Sequence, residues 1–252
     1  MRHGFQLCCL ILGACALPVA GSAQQIEQGV AIVSEAIASR VDGFDYKPDS
    51  TSELDFRGTA LSPRADGSAK VRTGSDRTEI SAKFSHLPAA ASFGPFTAYV
   101  LWVVTPEGRA SNVGTVNLDG DKGTLNATTP LSSFALIVTA EPHFAVSVPS
   151  RFIVLQNVGG TVQGTQLVVT SLAARADYSA LKPLSVDPKL HEPVELLMAR
   201  YALTIADGAG AAQLAPKAFG GARDALASAE SAQTSKSSSA RERVPELARE
   251  AI

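Results

Sequence analysis

Residues 96–105 read FTAYVLWVVT, a nearly unbroken apolar run that contains Tyr99 and Trp102. Its length and its β-branched and aromatic content fit a central β-strand. It is far short of the roughly 20 apolar residues that a membrane-spanning helix needs. A central strand requires partners, and the surrounding sequence supplies them. Glu79–Phe84 (EISAKF) alternates polar and apolar residues, as a half-buried strand does. Thr105-Pro106-Glu107-Gly108 is a turn with proline early and glycine late. Val113–Leu118 reads as the next strand, Asp119-Gly120-Asp121-Lys122-Gly123 as a hairpin loop, and Thr124–Thr128 as its return strand. Phe134–Ala140 is again almost wholly apolar, and Phe152–Leu155 closes the set. Short strands at this spacing predict an antiparallel, immunoglobulin-like β-sandwich over residues 41–157. A β hairpin and connector are expected over 158–190, and residues 24–40 form an N-terminal segment of no clear pattern.

The texture changes after residue 191, where the chain becomes alanine-rich and helical in period. Pro193 fits the first position of a helix, where its missing N–H is harmless. Val194, Leu197, Met198, Tyr201 and Ile205 then mark one apolar face. Gly208 and Gly210 end that helix, and Pro216 opens a second with Phe219, Ala222, Leu226 and Ala229 on a heptad-like seam. Thr234–Ser239 is a polar break, and Pro245 starts a last short helix. The expectation is an α-helical hairpin tail over 191–252. Narrow alanine seams bury little area, so such a tail needs a partner surface.

The first residues specify a destination. A basic start (Met1, Arg2, His3), a short apolar stretch from Phe5 to Leu17 and the small residues Gly21-Ser22-Ala23 make a secretory signal, with cleavage after Ala23. A competing reading is a lipobox at Leu12-Gly13-Ala14-Cys15, in which Cys15 is lipidated. The chain has three cysteines, Cys8, Cys9 and Cys15, all inside the signal. Cleavage at Ala23 therefore leaves no thiol for disulfides or nucleophilic chemistry. Either route places the protein in the periplasm or against the outer membrane, with membrane attachment only through Cys15.

Several matches between this chain and a known family lie in the strand region. They include Phe56–Leu61 (FRGTAL), Phe93-Gly94-Pro95, Tyr99–Trp102 (YVLW), Thr105–Ala110 (TPEGRA), Asn112-Val113-Gly114, Phe134–Phe144 (FALIVTAEPHF) and Ala145–Ser150 (AVSVPS). This pattern resembles the N-terminal region of bacterial envelope proteins common in acidobacteria. Many of them carry a C-terminal peptidoglycan-binding domain of the outer-membrane protein A type. Pro193–Ala232 is similar to the helical domain of unknown function between those two parts, and Glu246–Ala251 to the start of its next helix. The resemblance implies an envelope location and no catalytic residues. The sequence stops at Ile252, where such relatives continue, so peptidoglycan binding is not carried over.

Candidate chemistry is sparse. Net charge is −2, which gives no electrostatic footprint for nucleic acid. His86, His143 and His191 are far apart and lack metal-ligand spacing, so no metal or other cofactor is expected. There is no GxSxG elbow. Gly208-Ala209-Gly210 follows a helix and lacks the lysine of a phosphate loop. Asp119-Gly120-Asp121 lacks the remaining ligands of a calcium loop and reads as a turn. Asn126-Ala127-Thr128 has the form of a glycosylation sequon but sits in a strand. Tyr99 and Trp102 belong to the core. Glu107 and Arg109, on a turn, are the candidates for a partner contact, since binding residues concentrate on loops. The resulting expectation is a non-enzymatic envelope protein of structural or interaction type, whose helical tail meets another envelope protein or a second copy. The alternatives are a glycan- or peptide-binding module and an enzyme whose site converges only in space.

Overall fold

The structure, a computed structural model, describes residues 41–169, 171–178, 181 and 192–252. The expected signal, with Ala23 and Cys15, lies outside them, as do residues 24–40 and His191. The described chain is mainly β, with a helical C-terminal region.

Among the described residues, eleven strands form one antiparallel sheet. They are β1 (Val41–Tyr46), β2 (Ser50–Gly58), β3 (Asp66–Thr73), β4 (Thr78–Ser85), β5 (Ala98–Val104), β6 (Ala110–Thr115), β7 (Asn117–Asp119), β8 (Lys122–Thr129), β9 (Ser133–Glu141), β10 (Ile153–Thr161) and β11 (Gly164–Val169). The main path runs β9-β10-β2-β3-β4-β8-β7, and β5 with β6 lies on the other edge of β9. The apolar run is thus a central strand, as expected. β5 pairs along its whole length with β9, from Ala98↔Glu141 to Val104↔Ala135, and on its other edge with β6.

The strand expected over Val113–Leu118 is broken in two. β6 pairs with β5, and β7 pairs with β8 at the far end of the path. Val116 joins them, its N–H donating to Tyr99 O at 2.9 Å. Gly114 (φ +140°) and a register shift at Leu101/Trp102 turn the chain away from β5, a bend that a bulge and a glycine make available. Because the chain crosses from one sheet edge to the other here, the sheet is nearly closed. The hairpin expected over 158–190 is also revised. β10 starts earlier and pairs with β9 and β2, whereas β11 pairs with β1.

The inner face follows period two. Leu54 and Phe56, Ala69 and Val71, and Ile80, Ala82 and Phe84 point inward from β2, β3 and β4. Tyr99, Leu101 and Val103 join them from β5, with Phe134, Leu136 and Val138 from β9. The alternate residues of those two strands (Val100, Trp102, Val104, Ala135, Ile137) form a second cluster with Val41, Val146, Ile153 and Val169. Both faces of β5 and β9 are therefore buried, so these two strands show no polar alternation. Each large apolar side chain so buried contributes about 1.5–3 kcal/mol.

The helical region comprises α1 (Val194–Gly208), α2 (Ala211–Leu214), α3 (Pro216–Gln233), α4 (Ser238–Glu242) and α5 (Val244–Arg249). Pro216 occupies the first turn of α3, and Gly210 adopts the left-handed conformation (φ +82°) just after α1. Pro193 caps α1 from outside instead of opening it. The expected α1 face is shifted. Leu196, Met198, Ala199, Tyr201 and Leu203 are buried, while Val194 is exposed. This helix is apolar nearly all round, so periodicity alone does not select a face. Leu196 and Ala199 meet Ala229 of α3 and Val244 and Ala248 of α5, so α5 completes a three-helix core. Arg200 clamps it, reaching Glu192 Oε1 at 3.1 Å and Glu230 Oε1 at 3.0 Å. Among the described residues, no helix is long and apolar enough to cross a membrane.

Candidate functional site

The turn carrying Glu107 and Arg109 joins β5 to β6. Gly108 N–H donates to Thr105 O at 2.8 Å, and Thr105 N–H to Arg109 O at 2.9 Å. Both charged side chains stand in solvent, while Gly108 between them is buried. It is buried because Ala173 N–H donates to Gly108 O at 2.8 Å, docking residues 171–178 against the turn as a strap. Gly108 has φ +83°, and a Cβ there would lie 2.2 Å from Ser171 O. Only glycine fits such a close approach. The Thr105 hydroxyl, the backbone and then the Arg109 charge hold the Glu107 carboxyl below its usual range.

Beneath the strap lies a group that sequence reasoning did not single out. Glu141, the last residue of β9, is fully buried. Its Oε1 accepts from the Thr139 hydroxyl, and from Ser150 N–H at 2.7 Å. Thr139 Oγ1 in turn accepts from Trp102 Nε1 at 2.7 Å. Glu141 Oε2 has no hydrogen-bond partner among the described residues. Burial pushes this carboxyl up to about 7, against the pull of Ser150 and Thr139. Two residues on, His143 is buried as well. Its Nδ1 accepts from Ala145 N–H at 3.2 Å, and burial pulls its pKa down to about 4. Residues 142–150 and the strap meet where Ala176 N–H donates to Pro149 O at 2.8 Å and Arg151 pairs with Asp177 at 3.1 Å. Tyr178 O–H donates to Val148 O at 3.4 Å, and burial, with the Glu141 charge adding to it, raises its pKa.

Two open clefts lie at opposite ends of strands β2–β4. One, of about 410 Å³, is lined by Pro63, Arg64, His86, Pro88, Ser92 and Phe93, among others. His86 there has φ +58°, and its Nδ1 lies 2.9 Å from Asp66 Oδ2. The other, of about 550 Å³, includes Asp49 (φ +53°), Arg72, Arg77 and Glu79, with both arginines on Glu79. Positive φ in a non-glycine residue stores strain and often marks a functional loop.

The remaining motifs fall where a fold would put them. Asp119-Gly120-Asp121 is the β7–β8 turn, with Gly120 at φ +62°. Asn126 lies within β8, accepting from the Ser81 hydroxyl at 2.7 Å. Tyr99 and Trp102 are both fully buried, on opposite faces of β5. No group of three or more His, Cys, Asp or Glu side chains able to hold a metal ion occurs among the described residues. In comparisons with known proteins, no family model matches the chain and no curated protein does either.

Proposed function

We propose that this is a non-enzymatic protein of the bacterial cell envelope, in which the β domain is a rigid support and the helical tail docks on another envelope protein or a second copy. The observation that carries the reading is the uncovered apolar end of the tail. Leu214 is 82 % exposed. Beside it, Ala215, Pro216, Lys217, Ala218 and Gly221 line an open hollow of about 570 Å³. Leu226 and Ala229 of the α3 seam reach the tail's own core, whereas Phe219 and Ala222 at its start are only partly covered. An exposed large side chain next to an unfinished seam favours an intermolecular contact.

The export signal and the resemblance to acidobacterial-type envelope proteins support the location. Within the same proposal, the β domain is an immunoglobulin-like sandwich. Support comes from β2, β4 and β5 sharing one core cluster, which holds Leu54, Ile80, Tyr99 and Leu101. The test is recovery of the tagged full chain from envelope extracts, beside Leu214→Glu. The wild type brings down a partner or a second copy, and L214E loses it. A wild-type chain that is always monomeric and unpartnered contradicts the proposal.

A second reading, a glycan- or peptide-binding module, draws on the cleft at His86. Asp66 orients the imidazole, and Phe93 with Pro63 and Pro88 gives apolar walls. Thermal shift with wall fragments tests it. A shift that His86→Ala removes supports this reading, and no shift with any fragment counts against it.

A further inference from the structure

We propose that the cleft beside His86 is a binding site for one unit of a neutral sugar chain, seated on Phe93 and hydrogen-bonded through Arg64, His86, Ser92 and Asp121. The inference rests on the second reading above, that this cleft binds a glycan or a peptide, and it chooses between the two. Three loops at one end of the sheet converge on the cleft: residues 59–65 between β2 and β3, residues 86–97 between β4 and β5, and the β7–β8 turn. Its volume of about 410 Å³ lies within the range of small-ligand pockets, about 300–1,000 Å³.

The loops are fixed before any ligand arrives. Gly58 N–H donates to Ala65 O at 2.8 Å, Ser62 N–H to Thr59 O at 3.0 Å, and Ala65 N–H to Ser62 O at 3.0 Å. Residues 59–65 fold so tightly over Gly58 that a Cβ there would lie 1.9 Å from Ser62 O. On the other wall, Leu87 N–H donates to Asp121 O at 2.9 Å and Ser92 N–H to Ala89 O at 2.9 Å. The Tyr99 hydroxyl reaches out of the core to donate to Pro88 O at 2.8 Å. His86 holds φ +58° between these anchors, the kind of stored strain that collects at binding loops. A site set in this way loses little conformational entropy on binding.

Because these backbone groups are engaged with one another, the cleft offers a ligand side chains and not the ladder edge that an extended peptide uses. The side-chain set mixes donors and acceptors. Asp66 Oδ2 lies 2.9 Å from His86 Nδ1, which puts the imidazole proton on Nδ1 and leaves the Nε2 lone pair free. Ser92 Oγ donates to Ala89 O at 2.7 Å, so its lone pairs are left to accept. Arg64 supplies donors and Asp121 acceptors; both are exposed, and neither side chain bonds to a described residue. One guanidinium stands against Asp121 and the Asp66 carboxylate on His86, so neither an anion nor a cation finds a complementary field. Sugar hydroxyls need donors and acceptors together and bring no charge. Phe93 supplies the remaining element. It packs on the first core cluster and still lines the cleft, so a fixed aromatic surface meets the C–H face of a sugar ring.

The test is isothermal titration calorimetry of the full chain with two uncharged tetrasaccharides, one of N-acetylglucosamine and one of glucose, beside a capped peptide of alternating proline and phenylalanine. At least one tetrasaccharide binds, and its Kd changes by less than about twofold between low and high salt, since no charge pairs with the ligand. Phe93→Leu keeps the apolar bulk, removes the ring and weakens binding roughly tenfold, and Arg64→Ala weakens it roughly fivefold. Arg77→Ala, in the cleft at the opposite end of the strands, leaves Kd as it is. The salt series needs no variant and decides the matter if Phe93→Leu fails to fold. Peptide binding alone, lost in His86→Ala, overturns the sugar assignment while sparing the reading it rests on. No binding of any probe overturns both. Sugar binding that the cleft variants leave untouched, or that falls steeply with salt, overturns the proposal.

Discussion

Asn157 Oδ1 accepts the Leu136 N–H at 2.7 Å, filling the gap where β9 leaves β10 for β1. Its Nδ2 donates to Asp42 O at 2.6 Å, so one side chain stands in for a missing stretch of ladder. Buried backbone groups without partners are costly. Asn157→Ala strands both, and we expect a loss of about 2–4 kcal/mol in urea unfolding. Asn157→Asp keeps the acceptor but sets a buried carboxylate oxygen against Asp42 O, so it should cost at least as much as Ala near neutral pH.

Thr139 links Trp102 to Glu141 through its single hydroxyl. Thr139→Val keeps the shape and removes both bonds. The expected loss is about 1–3 kcal/mol, since a buried indole N–H is left unpaired. Glu141 also loses a donor to its charged form, so its titration moves to still higher pH. Fluorescence of Trp102, the sole tryptophan, and NMR titration of the carboxyl measure the two effects.

Gly108→Ala tests the docking of the strap on the β5–β6 turn. Positive φ alone penalises a side chain by roughly 1–3 kcal/mol, and the approach of Ser171 O adds a clash. Gly120 also has positive φ, but a Cβ there meets nothing within 4 Å. Gly120→Ala should therefore lower the melting temperature less than Gly108→Ala. Equal losses would mean that the strap is not seated on the turn.

Much of this architecture is legible in the sequence, and the misses have physical causes. The run at 96–105 marks β5, the alternation at 79–84 marks β4, and Pro216 and Gly210 mark helix limits. Period-two logic fails where both faces of a strand are buried. It therefore does not reveal that Tyr99 and Trp102 point into different clusters. Glu141 reads as a polar strand end because its burial comes from the loop 142–150 folding back over it and from the strap, which arrives from elsewhere in the chain. The split of Val113–Leu118 depends on which edges β6 and β7 reach, which no local pattern encodes. Glu107 and Arg109 were legible as an exposed turn, but the seating of Gly108 on the strap between them was not.

Arg200 bridges Glu192 and Glu230 across the tail. Arg200→Met removes both bonds while keeping the aliphatic stem. We expect about 1–2 kcal/mol less stability, the range of hydrogen bonds to partly screened charges. The loss should appear in helical circular dichroism at 222 nm, with the β signal intact if the tail melts as its own unit.

The tail end around Leu214 is proposed as a contact surface in the cell envelope. A photo-crosslinking residue at position 214 of the full chain, activated in living cells before fractionation, tests it most directly. The expected result is one discrete adduct, with another envelope protein or with a second copy, recovered in the envelope fraction. An uncrosslinked monomer in that fraction, or recovery of the protein in the cytosol, would contradict it.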